Sequence, residues 1–376
     1  MLNRRWFFVL LVLVQSAYAV NPSTQPTNDF STPAEIALPI EIKPADERLY
    51  YVGRFDRHSD LGPQAQWSHS SITLRFTGTD LQVGLNDSGK NYLAVVIDGV
   101  ATTVLHPPKG SVWLDAAKGL PAGEHTVSII RRTEAIAGTT QFTGFRLNEG
   151  AKLLDPKRLP HRIEVIGDSI TCGFGNEAAS KDDPFAFATE NALQTYGAIA
   201  ARTLNAEYVS ICWSGRKMWP DNTIPSIYDR SLPLDEKSSW DPPATKPEII
   251  VINLMTNDFS ARVAPDRTEW ITKYREFIKR LRTGNADAHI YVAVSPMLFG
   301  QKRDAAKDCL TSIVSEENAA GDNRVRLIEF PVQDIKNNGV GAKWHPNIKT
   351  HQGMAAQLSE QIHKDLGWEL LQSETK

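Results

Sequence analysis

The sequence predicts an all-β sandwich of the jelly-roll sort followed by a three-layer α/β domain. Two changes of hydrophobic period and one change of composition predict it. Between residues 50 and 147 short apolar runs alternate at period two, and beyond Pro160 strand-like runs alternate with helical patterns. Ahead of both lies a Pro-, Ser- and Thr-rich stretch with little apolar content.

The chain begins with Arg4 and Arg5, an apolar run from Trp6 to Val14, and Ala17-Tyr18-Ala19, the small-x-small pattern that signal peptidase accepts. Residues 1–19 are therefore expected to be a signal peptide cleaved after Ala19, and the mature protein to be secreted or periplasmic. The apolar run is about half of the ~20 residues that span a bilayer, which argues against a permanent anchor. Residues 20–39 read as a linker. Of the 376 residues, about 350 remain after the leader, enough for two domains with cores of their own. A formal net charge of −3 gives no electrostatic case for nucleic acid or for an anionic membrane as partner. The chain has three cysteines, too few for a disulfide scaffold. Cys172 and Cys212 each lie just beyond a predicted strand, where a bond between them and a pair of buried thiols are both open readings; Cys309 falls in a predicted helix.

The sandwich is expected over 40–150. Its strand candidates are 71–76, 81–85, 92–97, 102–105, 125–130 and 140–147, separated by Asn86-Asp87-Ser88-Gly89, Asp98-Gly99, Pro107-Pro108-Lys109-Gly110 and Pro121-Ala122-Gly123. Alternation with such punctuation argues for antiparallel strands in two packed sheets. The α/β domain is expected over 160–370, with strands at 162–166, 207–211, 249–254, 290–294 and 325–328. The clearest helix carries Trp270, Tyr274, Phe277, Ile278 and Leu281 on one face, and the last carries Met354, Leu358, Ile362 and Leu366. Strands separated by helices imply a mostly parallel sheet covered on both faces.

In open parallel sheets ligands bind beyond the carboxyl ends of the strands. Ser169 follows the first strand inside Gly167-Asp168-Ser169, Gly215 follows the second inside Trp213-Ser214-Gly215-Arg216, and Asn257 follows the third inside Met255-Thr256-Asn257-Asp258. His345 stands in Trp344-His345-Pro346-Asn347 at the start of the final helix. Each piece has a bland alternative: a helix-capping turn, an Asx turn, a surface histidine. Their joint placement at successive strand ends points instead to acyl transfer. Ser169 would be the nucleophile and His345 the base, with the Ser169 and Gly215 N–H groups and the Asn257 amide as oxyanion donors. The second glycine of a Gly-x-Ser-x-Gly elbow is missing, which disfavours an ordinary α/β-hydrolase. No cofactor is expected, and no metal, since no Cys/His cluster has ligand spacing.

These residues resemble the four blocks of the SGNH hydrolase superfamily, whose catalytic domains are flavodoxin-like three-layer folds. The sandwich segments Tyr51-Val52-Gly53-Arg54, Phe76-Thr77-Gly78-Thr79, Val96-Ile97-Asp98-Gly99, Gly123-Glu124-His125-Thr126-Val127 and Phe142-Thr143-Gly144-Phe145, followed by Gly-Asp-Ser-Ile-Thr-Cys-Gly-Phe-Gly-Asn, are similar to carbohydrate esterase family 2. That resemblance implies an exported O-acetyl esterase acting on plant polysaccharides such as xylan and glucomannan, with a leaning toward the 6-hydroxyl of hexoses.

Two departures stand out. Ala342 occupies the position, three before the histidine, where many SGNH enzymes have an aspartate, so the resemblance implies a Ser-His dyad with the imidazole held by a backbone carbonyl; a more distant acid such as Asp334 stays open. Met255 stands where the third block would have glycine. Aromatic faces suit pyranose rings, which makes Trp213, Trp219 and Trp344 candidates for sugar contact, with Arg216 and Asp221 as polar candidates. Arg54 is expected to form a structural ion pair, with a reach across the domain interface as the alternative. Two other functions remain open from the sequence: a carbohydrate-binding protein with an inactive esterase domain, and a lipase or thioesterase.

Overall fold

Period-two alternation becomes two antiparallel sheets in the computed structural model, which describes residues 40–241 and 246–371. The expected leader and linker, 1–39, lie outside the described residues. The strands are β1 (Ile40–Ile42), β2 (Tyr50–Val52), β3 (Gln64–Ala65), β4 (Ser71–Thr77), β5 (Leu81–Asp87), β6 (Leu93–Ile97), β7 (Val100–Leu105), β8 (Gly110–Ala117), β9 (Glu124–Arg131), β10 (Thr140–Leu147) and β11 (Lys152–Leu154). One sheet runs β1-β10-β5-β8 with β3 beside β10, and the other runs β11-β4-β9-β6-β7 with β2 beside β4. Ile72, Leu74 and Phe76 of β4 meet Leu81, Val83 and Leu85 of β5 in one core. Phe142 and Phe145 both enter that core although they are three apart, because the β10–β5 register shifts between Phe142 and Gly144. A bulge lets a strand break its own period.

The α/β half contributes β12 (His161–Gly167), β13 (Ala206–Cys212), β14 (Ile249–Asn253), β15 (His289–Val294) and β16 (Val325–Glu329), all parallel, in the order β13-β12-β14-β15-β16. Its helices are α1 (Ser169–Cys172), α2 (Tyr196–Thr203), α3 (Thr256–Ser260), α4 (Arg267–Gly284), α5 (Gly300–Ala319), α6 (Ile335–Asn338) and α7 (Ile348–Leu366). Alternate residues separate the two faces. Ile163, Val165, Ile249 and Val251 pack with α2 and α7, while Ile166, Ile250, Ile252 and Val292 pack with α4 and α5. Strand order reverses at β12, so the chain leaves β12 to one side for β13 and returns to the other for β14. Such a switch point opens a crevice at the carboxyl ends of the strands.

The sandwich and the α/β layers belong to one compact unit. Trp67 of the sandwich is fully buried in the core that contains Ile166 and Ile211, and its indole N–H donates to the Arg230 carbonyl at 3.1 Å. Arg54, only 1% exposed, pairs with Glu164 at 3.6 Å and lies 4.4 Å over the Tyr228 ring. Its role is structural, and it does reach from the sandwich into the α/β layers. No described helix is long and apolar enough to cross a membrane.

Candidate active site

The Gly-Asp-Ser turn has physical reasons at each position. A Cβ on Gly167 would collide with the Thr171 hydroxyl. The Asp168 carboxylate caps α1 by accepting the Ile170 N–H at 3.0 Å. Gly173 ends α1 in the left-handed region at φ 81°, where glycine carries no Cβ penalty. Ser169 is thereby fixed at the N-terminal end of α1, at the mouth of the switch-point crevice and 7% exposed.

The base arrives from 176 residues away: His345 Nε2 lies 2.8 Å from Ser169 Oγ. Its Nδ1 lies 3.1 Å from the Ala342 carbonyl, which fixes the tautomer with Nδ1–H donating and Nε2 free to accept. The distant acid left open by the sequence does not fold in. Asp334 caps α6 through the Asn337 N–H at 3.1 Å. Burial pushes the His345 imidazole down to about 4, against the opposing pull of the Ala342 and Lys343 backbone, so the ring is neutral near pH 7. Ala342 also has a packing reason. Its N–H donates to the Gly175 carbonyl at 3.0 Å, and a Cβ on Gly175 would lie 2.5 Å from the Ala342 methyl. Gly175 of the Gly-Phe-Gly-Asn run thus seats the histidine loop.

The other predicted site residues come to the same rim. Gly215 is exposed with φ 77°, and its N–H, like that of Ser169, takes no hydrogen-bond partner among the described residues. The Asn257 amide donates to the Arg216 carbonyl at 2.9 Å and to Asp168 Oδ2 at 3.3 Å. Both of its protons are therefore engaged, and it is not a free donor in this state. Burial pushes Asp168 up to about 7, although the Ile170 N–H pulls it back. Met255, at the glycine position of the third block, is fully buried with φ −174°. That is extended backbone open to any residue, so glycine is not required there.

The aromatic candidates divide. Trp344 is 48% exposed, with the Lys181 ammonium 5.0 Å from its ring. Trp213 is half-buried under the Arg216 guanidinium at 4.1 Å. Trp219 packs against the core beside α4, and its N–H donates to Asp258 at 3.0 Å; it is the more structural of the three. Asp221 is paired with Lys217 at 2.6 Å. Sequence reasoning missed an aromatic wall beside the base: Phe174 lies 4.3 Å from the His345 ring, Phe185 stacks on Phe174 at 4.1 Å, and Phe187 meets Phe185 edge-on. The pair Phe185-Ala186-Phe187 inside a polar loop was the available signal.

Sequence reasoning also missed a buried cluster behind the rim. Glu134 from the sandwich, Cys172 and Glu190 bring ligand-type atoms within 4.8 Å of one another. It is the group with metal-ligand chemistry among the described residues, and no spacing along the chain reveals it. Cys172 and Cys212 are both free, buried thiols, so the buried-thiol reading holds and the bond between them is not present.

A serine held by a neutral histidine at the switch point of such a sheet is the apparatus of a carboxylic ester hydrolase. Comparisons with known proteins agree. Residues 51–156 match the carbohydrate esterase 2 N-terminal family and residues 165–357 the GDSL-like lipase/acylhydrolase family. The chain belongs to the GDSL-like lipase/acylhydrolase family and, with its N-terminal domain, to carbohydrate esterase family 2. It is 39% identical over 326 residues to the cellulase/esterase CelE of Acetivibrio thermocellus, a match that covers 85% of this chain and 40% of that protein's length. An acetylxylan esterase/glucomannan deacetylase of Cellvibrio japonicus is 28% identical over 87% of this chain and 91% of its own length. Among solved structures, a family two carbohydrate esterase from Clostridium thermocellum in complex with cellohexaose superposes with a TM-score of 0.81 at 39% identity, over 85% of this chain and 99% of that one.

Proposed function

We propose that the protein is an exported serine esterase that removes O-acetyl groups from plant polysaccharides through a Ser169–His345 dyad. The observation that carries this reading is the 2.8 Å contact between Ser169 Oγ and His345 Nε2, with Nδ1 on a backbone carbonyl. His345 takes the hydroxyl proton as Ser169 attacks the acetyl carbonyl, then protonates the departing sugar hydroxyl; water activated by the same imidazole releases acetate from the acetyl-serine. The oxyanion is met by the Ser169 and Gly215 N–H groups. Asn257 joins them by exchanging its long 3.3 Å contact with Asp168 for the oxyanion. Each such donor is worth about 3 kcal/mol of barrier.

Glycan as substrate is supported by the printed descriptions of the relatives, one an acetylxylan esterase/glucomannan deacetylase and one solved with cellohexaose, and by the exposed face of Trp344 beside the base. Xylan, glucomannan and the hexose 6-hydroxyl are the expected sites of deacetylation. Export follows from the leader pattern of residues 1–19 with cleavage after Ala19. Acetate release from acetylated glucomannan and acetylated xylan, followed by NMR at each sugar position, tests the reading. The wild type should deacetylate and Ser169→Ala should not. Equal background rates for the two, with retained glycan affinity, would replace the esterase by a carbohydrate-binding protein. A preference for octanoyl over acetyl esters would move the substrate to lipids.

A further inference from the structure

The turn that presents the Gly215 N–H is held from three sides. The Arg216 carbonyl accepts from Asn257 at 2.9 Å and the Gly215 carbonyl from Asn222 at 3.1 Å. The third hold comes from the sandwich: the Ser214 N–H donates to Glu134 Oε2 at 2.7 Å. The same carboxyl oxygen lies 3.8 Å from the Cys172 thiol, in α1 and three residues after Ser169. One fully buried oxygen therefore touches both segments that carry the free backbone N–H groups.

Glu134 is itself braced. The Arg131 guanidinium, fully buried, donates to the carbonyls of Thr133, Glu134 and Gly138 at 2.9, 3.0 and 2.7 Å, and to Thr140 Oγ1 at 3.0 Å. The Glu134 N–H donates to Glu190 Oε2 at 3.2 Å. Arg132 pairs with Glu177 and donates to the Glu190 carbonyl at 3.3 Å. Burial pushes both carboxyls up, Glu190 well above the usual carboxylate range with the Glu134 charge adding to it, while the Ser214 N–H pulls Glu134 back toward the ionised form. A fully buried carboxyl whose one oxygen meets the Ser214 N–H of the oxyanion turn and the Cys172 thiol of α1 calls for a role beyond packing.

We propose that Glu134 is a positioning residue for the oxyanion hole: through the Ser214 N–H the sandwich fixes the peptide that aims the Gly215 N–H at the reacting carbonyl. The inference rests on the acyl-transfer reading of Ser169 and Gly215. Withdrawing the acceptor frees the 214–215 peptide to rotate, and misplacing one oxyanion donor costs about 10²-fold in rate.

The test compares wild type, Glu134→Ala, Glu134→Asp, Glu134→Gln and Ser169→Ala, with folding checked by thermal melting. Glu134→Ala and Glu134→Asp, which remove the acceptor or draw it out of reach, should lose about 10²-fold in kcat with KM within about 3-fold. The loss should be the same on p-nitrophenyl acetate and on an acetylated sugar, because the oxyanion forms whatever the leaving group. Affinity for an alkyl boronic acid, which forms a tetrahedral adduct on the serine, should fall in parallel. Glu134→Gln keeps an acceptor for the Ser214 N–H and should recover most of kcat. If Glu134→Ala does not fold, the Asp and Gln variants carry the same contrast. Wild-type kcat in a folded Asp or Ala variant, or lost kcat with unchanged boronate affinity, overturns the proposal while an inactive Ser169→Ala keeps the hydrolase reading intact. A wild type no faster than Ser169→Ala sinks that reading, and this inference with it.

Discussion

The nucleophile and its base are held in opposite ways. Ser169 sits in a turn whose hydrogen bonds close within a few residues: Asp168 caps Ile170, and the Ser169 carbonyl accepts from Gly173 at 3.1 Å and Phe174 at 3.0 Å. His345 sits at the end of a loop that passes through two left-handed non-glycine residues, Lys343 at φ 49° and Trp344 at φ 69°, each costing about 1–2 kcal/mol. That loop is tied down from outside, by the carbonyls of Gly175 and Lys181 and by the Gln333 amide on the Trp344 carbonyl at 2.9 Å. The hydroxyl is thus placed by local geometry and the imidazole by tertiary contact, and the two halves of the dyad should fail differently.

The largest expected effect is loss of the base itself. His345→Ala should lower kcat by about 10⁴-fold or more while leaving the fold intact, since residues that act as one unit cost as much singly as together; a residual rate close to wild type would remove the imidazole from the mechanism. Disturbing only the loop's seat should cost less. In Gly175→Ala the new methyl meets the Ala342 methyl at a left-handed position, φ 54°, and displacement of the Ala342 carbonyl should cost about 10²-fold in kcat. The comparison breaks if this variant keeps full activity with an unchanged melting temperature.

The smallest effect is that of pH. Burial disfavours the charged imidazole and lowers His345 to about 4. The base form is therefore present above that value, and the limb of kcat/KM that belongs to His345 should lie at about 4, apart from any limb of Asp168 at about 7. A His345 ring that titrates at the ordinary histidine value, near 6.5, when its own proton signals are followed by NMR, would mean that the ring is wetter than the geometry allows.

The same contrast explains what could be read from the sequence. The five parallel strands, α4 and α7, and the Ser169 turn carry their signals in neighbouring residues, and the observed elements overlie the expected ones. Strand β8 escaped because it is an edge strand whose residues from Gly110 to Leu114 are all at least partly exposed, without clean alternation. Helix α5 was expected around Cys309 but without bounds, because it starts after Phe299 with no side-chain cap, so no start signal precedes it. A backbone carbonyl behind His345 was expected through family resemblance rather than spacing, and that it is Ala342's was not legible, since nothing along the chain shows which backbone atom an imidazole will meet. Glu134 could not be found at all. It lies 80 residues from Ser214, and its importance is created by burial at the contact between the sandwich and the sheet rim.

The account depends on acetyl passing through Ser169. Rapid quenching of the enzyme during turnover of p-nitrophenyl acetate, followed by peptide mass spectrometry, measures this directly. The expected result is one acetyl group on the peptide containing Ser169, and none in Ser169→Ala. Acetyl found on another side chain, or turnover that persists in Ser169→Ala without it, would contradict the dyad and everything built on it.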